Sequence, residues 1–228
     1  MMFFWHINIE TPLELSNEEV LVLILENATD FYSKVNDFIG IFNGQENGLS
    51  FWDESKPVHP EKVGELIPNI FSFEFNNKKV LNLLFKRIEE DFFNGQSIIS
   101  LGEINSKIIC LLNGLTLDFP FATTFDELSI QTLLKASNVA LEEEYDTLLE
   151  KIICYLNVLA ELKNLKFFVF VNIKSVLEDE DLEKLYYHCQ KEKISLLLIE
   201  SVKIRPLLPQ EKAIIITKDL CEILENFQ

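Results

Sequence analysis

Four short runs of nearly continuous apolar residues constrain the fold more than any other feature of this sequence. They are Val20 to Leu25, Lys166 to Val171, Ser195 to Glu200 and Ala213 to Thr217, and a helix-like segment at 179–193 separates the second run from the third. A strand that is apolar on both faces is typical of a parallel sheet that other elements cover on both sides. The sequence therefore predicts an α/β fold built on a mostly parallel sheet.

The N-terminal region adds shorter signals of the same kind. A strand is predicted over Phe3 to Ile9 and a helix over Asn27 to Phe42. Another strand is predicted from Leu49 to Phe51, after the Asn43-Gly44 turn. A helical turn is predicted from Pro60, because the fixed φ of proline suits the first position of a helix.

Residues 76–164 differ from the strand-rich regions on either side, because they show helical periodicity and contain few Gly or Pro. Asn-Gly pairs are expected to end the first two of four predicted helices, which are 77–93, 101–113, 125–137 and 142–163. The last helix has a wide apolar surface, which leaves burial in a bundle and a subunit interface as alternatives. The predicted organisation is an α/β head domain from 1–75 and 165–228, with an inserted α-helical leg domain at 76–164.

The charge balance limits the partners that this chain can bind. With 37 acidic and 20 basic residues, its formal net charge is −17, so its surface repels nucleic acid and anionic membranes unless bases are gathered locally. The N-terminus has no basic segment of a signal peptide, and the apolar runs are too short to span a membrane. A cytoplasmic protein is expected, with its four cysteines buried and reduced.

Motifs for nucleotide chemistry are absent from the expected places. No phosphate-binding loop follows Val20 to Leu25, where Glu26 and Asn27 stand instead of glycines. The run ending at Val171 is followed by Asn172, a poor replacement for a magnesium-binding Asp. The three histidines are isolated, and no nucleophile motif is present. A protein without catalytic activity is predicted, with an ATPase that has a degenerate site as a competing interpretation.

One basic segment stands out in this acidic chain. Residues 75–88 contain Lys78, Lys79, Lys86 and Arg87 and no acid, and helical spacing separates these bases from an apolar half. Bases in the first turn oppose the helix dipole, which points to a role in binding an anion, and an ordinary solvated face is the alternative. A second basic stretch contains Lys203 and Arg205 near the carboxyl edge of the sheet, where ligands bind in open α/β folds. Loop solubility is the alternative there.

Several stretches together carry a resemblance to a known family. They are VLVLILENATDFYSKV, DELSIQTLLKAS, EEEYDTLLEKIICYLNVLAELKNLKFFVFVN and ISLLLIES. Over nearly its full length the chain resembles the Csn-two family, the small accessory proteins of type II-A CRISPR loci that take part in spacer acquisition. No single motif is diagnostic, and the resemblance is one of pattern and scattered residues.

The resemblance implies a specific architecture and function. Members have a head that resembles a phosphate-loop ATPase core without Walker motifs, and an inserted helical leg. They form homotetrameric rings that enclose double-stranded DNA, bind its free ends and slide, without known catalysis. Their partners are the CRISPR integrase complex and the effector nuclease. A non-catalytic ring that binds double-stranded DNA is therefore expected, with a scaffold that tethers the acquisition complex without binding DNA as the alternative.

The resemblance also implies a calcium cofactor held by acids near the junction of head and leg. In this sequence Asp118, Asp126 and Glu127 lie near the matching positions, around a nearly uncharged segment, and Asp126 also suits the start of a helix.

Charge geometry, not the resemblance, gives the expected DNA contacts. Lys78, Lys79, Lys86 and Arg87 are expected first, and behind them Lys135, Lys203 and Arg205.

Overall fold

The computed structural model describes residues 2–6, 9, 12–95 and 98–227, which contain ten strands and seven α-helices. The strands are β1 (Met2–His6), β2 (Leu13–Leu15), β3 (Val20–Leu25), β4 (Leu49–Asp53), β5 (Lys56–Val58), β6 (Gly64–Ile67), β7 (Phe167–Val171), β8 (Ser195–Glu200), β9 (Glu211–Ile216) and β10 (Glu222–Asn226). The helices are α1 (Ala28–Phe42), α2 (Pro60–Val63), α3 (Lys78–Asn94), α4 (Ile98–Thr116), α5 (Ile130–Ala136), α6 (Leu148–Lys163) and α7 (Asp179–Lys191).

A six-stranded sheet forms the centre of the α/β unit, in the order β10-β9-β3-β8-β7-β6. All neighbouring pairs are parallel except β10 with β9. Every residue of β3 and β7 is buried, as the apolar runs of the sequence predict for strands covered on both faces. The fold is therefore mixed α/β with a mostly parallel sheet, which confirms the predicted fold class.

A second, antiparallel sheet in the order β2-β1-β4-β5 packs over one face of the first. Its contact is aromatic: Phe51 stacks on Phe4 and on Phe167, with ring centroids 5.7 Å and 5.4 Å apart. Phe38 of α1 meets the same cluster edge-on, at 6.2 Å from the ring of Phe51. Such pairs add about 0.5–1.5 kcal/mol each beyond the burial of their area, so they fix the small sheet in place.

The chain divides into two compact units, Met1–Phe73 with Glu144–Gln228, and Glu74–Glu143. The helix α6 thus falls in the α/β unit, whereas sequence analysis placed it in the leg. Its apolar stripe, including Ile152, Leu156 and Leu159, is fully buried, and the helix packs on α7. It begins at Leu148 instead of 142, because Thr147 and Glu150 form a reciprocal capping box.

Two other helices, α4 and α5, differ from their predicted bounds. The helix α4 continues through Asn113-Gly114 to Thr116, because an internal glycine costs a helix only about 1 kcal/mol. The helix α5 begins at Ile130 because Ser129, and not Asp126, caps it. The predicted end of α3 is confirmed, since Gly95 follows its last residue.

Three of the four cysteines contradict the expectation of burial, because Cys110, Cys154 and Cys221 are exposed and only Cys189 is buried. Among the described residues, no helix is both long and apolar enough to cross a membrane.

A buried polar cluster fastens the crossover between β8 and β9, which runs through residues 201–210 without a helix. Lys174 Nζ lies 2.6 Å from both carboxylate oxygens of Glu211, and the Tyr186 hydroxyl donates to Glu211 at 2.6 Å. The amide of Leu208 also donates to Glu211, at 2.8 Å. A buried carboxylate is stable only when it is bonded as fully as this, so the cluster fixes the path of the crossover.

Glu200, at the end of β8, adjoins this cluster and accepts fewer hydrogen bonds than Glu211 does. One of its oxygens accepts from the Lys174 amide at 3.1 Å, while its other oxygen, Oε2, has no hydrogen-bond partner among the described residues. Burial raises the pKa of Glu200 to about 7. The folded state therefore favours the protonated acid.

We predict that Glu200→Gln stabilises the protein more at pH 8 than at pH 5. A carboxyl group whose pKa is raised by folding contributes its full stability below the pKa of the unfolded chain, and loses it as the pH rises through about 7. Glutamine does not ionise and keeps an acceptor for the Lys174 amide. Thermal unfolding should show a Tm gain several degrees larger at pH 8. Glu183→Gln, on the exposed face of α7, is the control, and an equal gain at both pH values would contradict the prediction.

Candidate nucleic-acid interface

The helix α3 presents the basic face that its sequence predicts. Asn77 caps it by accepting from the amide of Val80 at 3.0 Å. Val80 and Phe85 are buried, whereas the bases on the other side are all exposed: Lys78, Lys79, Lys86 and Arg87. Lys79 and Lys86 are seven residues apart, about 10 Å along the axis, and nearly in line on the helix surface. The result is a continuous basic strip.

Two of these bases have acidic neighbours one turn later. Lys86 Nζ lies 3.6 Å from Glu90, and Arg87 Nε donates to Asp91 at 3.1 Å. All four side chains are largely exposed, so each pair contributes less than about 1 kcal/mol and a stronger anion can displace the carboxylate.

The same unit holds two further exposed bases. Lys135 lies in the last turn of α5, which packs against α3 through contacts that include Gln131 and Glu89. Lys107 is exposed on α4. Sequence analysis missed Lys107 because no other base lies near it in the sequence to mark a cluster.

Lys203 and Arg205 belong to the α/β unit, and both are bonded within it. Lys203 Nζ lies 2.6 Å from both carboxylate oxygens of Glu225. Arg205 is 18% exposed, donates to the carbonyls of Lys174 and Leu177, and pairs with Asp179 at 3.0 Å. Arg205 therefore holds the crossover, and the exposed bases of α3 and α5 remain the expected contacts for an anion.

The expected calcium ligands do not form a site. Asp118 lies in the turn after α4, and Asp126 and Glu127 are exposed in the segment before α5. Within the described part of the chain, no group of three or more His, Cys, Asp or Glu side chains is placed to hold a metal ion. Calcium takes six to eight oxygen ligands, so this donor set does not fit the ion.

The turn from β3 to α1 is where a nucleotide-binding α/β protein would hold phosphate. Here the Asn27 side chain accepts from the amides of Thr29 at 3.0 Å and Asp30 at 3.2 Å. The same side chain donates to the Lys218 carbonyl at 3.1 Å. The amides that would bind phosphate are thus already bonded, and Asp30 adds a carboxylate that is paired with Lys34.

Asn172, after β7, has a structural role. Its side-chain oxygen accepts from the Ser201 amide at 2.9 Å and so joins the ends of β7 and β8. The oxygen that would face a magnesium ion in an ATPase is therefore engaged.

The chain matches a known protein family and its curated members. A family model described as CRISPR-associated protein (Cas_Csn2) matches residues 41–220. The protein named CRISPR-associated protein Csn2 from Streptococcus agalactiae is 27% identical over 225 residues, which cover 96% of each chain. The protein of the same name from Enterococcus faecalis is 22% identical over 194 residues, which cover 84% of this chain and 86% of that one.

Solved structures that align with this chain include two ATP-binding cassettes of ABC transporters. A nucleotide-free cassette has a TM-score of 0.41 and 14% identity, covering 88% of this chain and 81% of that chain. A cassette in its ADP conformation has a TM-score of 0.44 and 15% identity, covering 91% and 82%.

We predict that this chain does not bind ATP with magnesium. The Asn27 side chain occupies the amides that would face the phosphates, and Glu26 and Asp30 place negative charge beside them. Isothermal titration calorimetry with MgATP should give only the heat of dilution. A saturable heat would instead mean that the turn opens for phosphate, and would revive the degenerate ATPase as an interpretation.

Proposed function

The chain belongs to the Csn2 family of CRISPR-associated proteins, and on this premise we propose that it is a non-catalytic protein of spacer acquisition that binds double-stranded DNA and its ends without sequence preference. Family membership supports a role in CRISPR adaptation and defence. The exposed basic strip of α3 is the observation that carries the DNA-binding part of the proposal.

The strip suits contact with a phosphate backbone. Its two pairs of bases, one at Lys78 and Lys79 and one at Lys86 and Arg87, are about 12 Å apart along the helix. This is comparable to the width of the DNA major groove, about 12 Å, so each pair can reach the phosphates of one groove edge. Contacts to phosphates carry no sequence information, which agrees with binding to any duplex.

Because the chain has a net charge of −17, its ability to bind DNA depends on where these bases are located. Most of the surface repels DNA, so binding depends on gathering the basic strips of several copies around the duplex. We propose a homotetrameric ring for this purpose, as in the family that the chain resembles. In such a ring the acidic surfaces face outward and the strips face the DNA.

A stripe on α4 supports self-association. Leu101, Ile104, Ile108, Leu111 and Leu115 follow the alternating three- and four-residue spacing of a coiled-coil seam. Ile104, Leu111 and Leu115 are 45%, 62% and 66% exposed. A contiguous apolar stripe of this kind marks an interaction surface, and a second α4 has the matching pattern.

The proposed setting is the cytoplasm, with the CRISPR integrase complex and the effector nuclease as partners. The alternative is a scaffold that tethers the acquisition complex without binding DNA, and the acidic surface outside α3 favours it. The two differ in a direct way, because only the first requires the strip on α3 for DNA affinity.

We predict that Lys79→Glu with Lys86→Glu abolishes the gel shift of a short linear duplex while the mass in solution stays unchanged. The matched control is Lys184→Glu with Lys191→Glu, since these lysines lie on α7 with the same seven-residue spacing and exposure. The control adds the same negative charge, so it separates the strip from a general effect of charge. Equal loss in both variants, or unchanged binding in the first, would contradict the assignment.

Removing the acids that pair with the basic strip tests the same assignment in the opposite direction. Glu90→Gln with Asp91→Asn removes the carboxylates that pair with Lys86 and Arg87. DNA affinity should rise, and the logarithm of affinity should fall more steeply with the logarithm of salt concentration, because more phosphate contacts release more counterions.

We predict that Leu111→Glu with Leu115→Glu lowers the mass in solution from about four times the chain mass of 26.5 kDa to that of a smaller assembly. Charges on facing seams repel and lose their apolar burial. The control is Ser106→Glu with Asn113→Glu, exposed on the opposite face of the same helix. Light scattering should show the change only in the first variant, and an equal effect of both would remove the seam from the interface.

A further inference from the structure

A cleft of about 590 Å³ lies in the α/β unit, where the small sheet stops short of the edge of the large one. Its floor is formed by apolar side chains of the large sheet, Leu21, Ile214 and Leu224. One wall is β2, the edge strand of the small sheet, whose Leu13 and Glu14 line the cleft. The cleft is large enough for a segment of another molecule.

The exposure of the floor shows that one face of the large sheet is incompletely covered. Leu23, Ile214 and Leu224 lie side by side on β3, β9 and β10 and point to the same face. Their exposed fractions are 0%, 2% and 60%. The small sheet covers this face as far as β9 and leaves β10 bare.

The missing cover would be one more strand beside β2. Within the described part of the chain, β2 pairs only with β1, so its other edge is open to a further strand, and the Leu15 carbonyl accepts only a long bond of 3.5 Å from the Ser195 hydroxyl. Its side chains alternate, with Leu13 and Leu15 buried and Glu14 exposed. An added strand would continue this alternation over β9 and β10.

The rim of the cleft is acidic. Glu14, Glu18, Glu19 and Glu222 surround it, against the single base Lys212. A second copy of this chain offering β2 would place Glu14 near Glu14, and like charges on paired strands are destabilising. The rim therefore favours a basic occupant over a second copy.

We propose that this cleft binds an extended segment of a partner protein in which apolar and basic residues alternate. The segment adds to the open edge of β2, packs its apolar side chains on Leu224, and turns its basic side chains toward Glu14 and the acidic rim. Strand addition of this kind takes affinity from backbone hydrogen bonds and specificity from alternate side chains. This site is separate from α3 and does not depend on DNA binding.

The test uses fluorescein-labelled synthetic peptides and the full chain, with fluorescence anisotropy as the readout. A six-residue peptide of alternating Lys and Val should bind saturably. The same peptide with its central Val replaced by Pro should bind far more weakly, because proline cannot donate to a strand. A peptide of alternating Glu and Val should not bind, because the acidic rim repels it.

Variants of the chain test whether the Lys-Val peptide binds in the cleft. Leu224→Thr should weaken binding of the Lys-Val peptide about tenfold, through loss of apolar burial. Glu14→Lys should also weaken it. The matched control is Ile223→Thr, which makes a similar change at the neighbouring exposed residue on the opposite face of β10 and should leave binding unchanged. Hydrogen exchange should slow at the amides of Leu13–Leu15 when the peptide is bound.

Four results would overturn the proposal. They are no binding of the Lys-Val peptide, equal binding of its proline form, equal weakening by Leu224→Thr and Ile223→Thr, and unchanged exchange at β2. If Leu224→Thr instead lowers the mass of the protein in solution and no peptide binds, a second copy fills the cleft and the partner segment is excluded. None of these measurements involves DNA, so failure here leaves the function of α3 standing.

Discussion

Burial of the central strands on both faces is the constraint on which the rest of the α/β unit depends. The strands β3 and β7 have no exposed residue, so each face of the large sheet needs its own cover. On one face the cover is the small antiparallel sheet with Phe4 and Phe51, together with Phe38 of α1. On α7, Leu182 and Leu185 are buried, and this helix packs against β8 and α6. The helix α6 also belongs to this unit, because its apolar stripe is buried and it packs on α7.

The crossover from β8 to β9 is fixed in place by a polar cluster, whereas a packed helix usually forms such a connection in a parallel sheet. Parallel strands usually need a covering helix between them, but residues 201–210 return without one. Glu211 anchors the return through Lys174 and Tyr186, and Arg205 ties the loop to the backbone at Lys174 and Leu177. Burial and the nearby Glu211 carboxylate raise the pKa of Tyr186, so its hydroxyl stays protonated and donates.

The distribution of charge separates two kinds of surface. The inserted unit presents a basic strip on α3 and an apolar stripe on α4, which suit an anionic polymer and another helix. The α/β unit presents an acidic cleft beside an open strand edge, which suits a basic protein segment. In a chain with a net charge of −17, bases gathered on α3 make this strip the surface proposed for DNA, and the acidic surfaces are the ones proposed for a protein partner.

The sequence by itself determined the elements whose signal is local. The bounds of β3 and β8, the helix α1, the amphipathic α3 and the mostly parallel sheet could all be predicted, because apolar periodicity acts within a few positions. The basic strip belongs to this group, since its four bases lie on one helix.

Only the tertiary structure decided the features that join distant residues. The edge strand β10 has the polar sequence EILEN and forms through its pairing with β9. The partners of Arg205 and Lys203, the place of α6 in the α/β unit, and the cleft between β2 and β10 depend on strand order and register. Pairing and burial between residues far apart in the chain leave no periodic trace in either segment, so no local pattern could have revealed them.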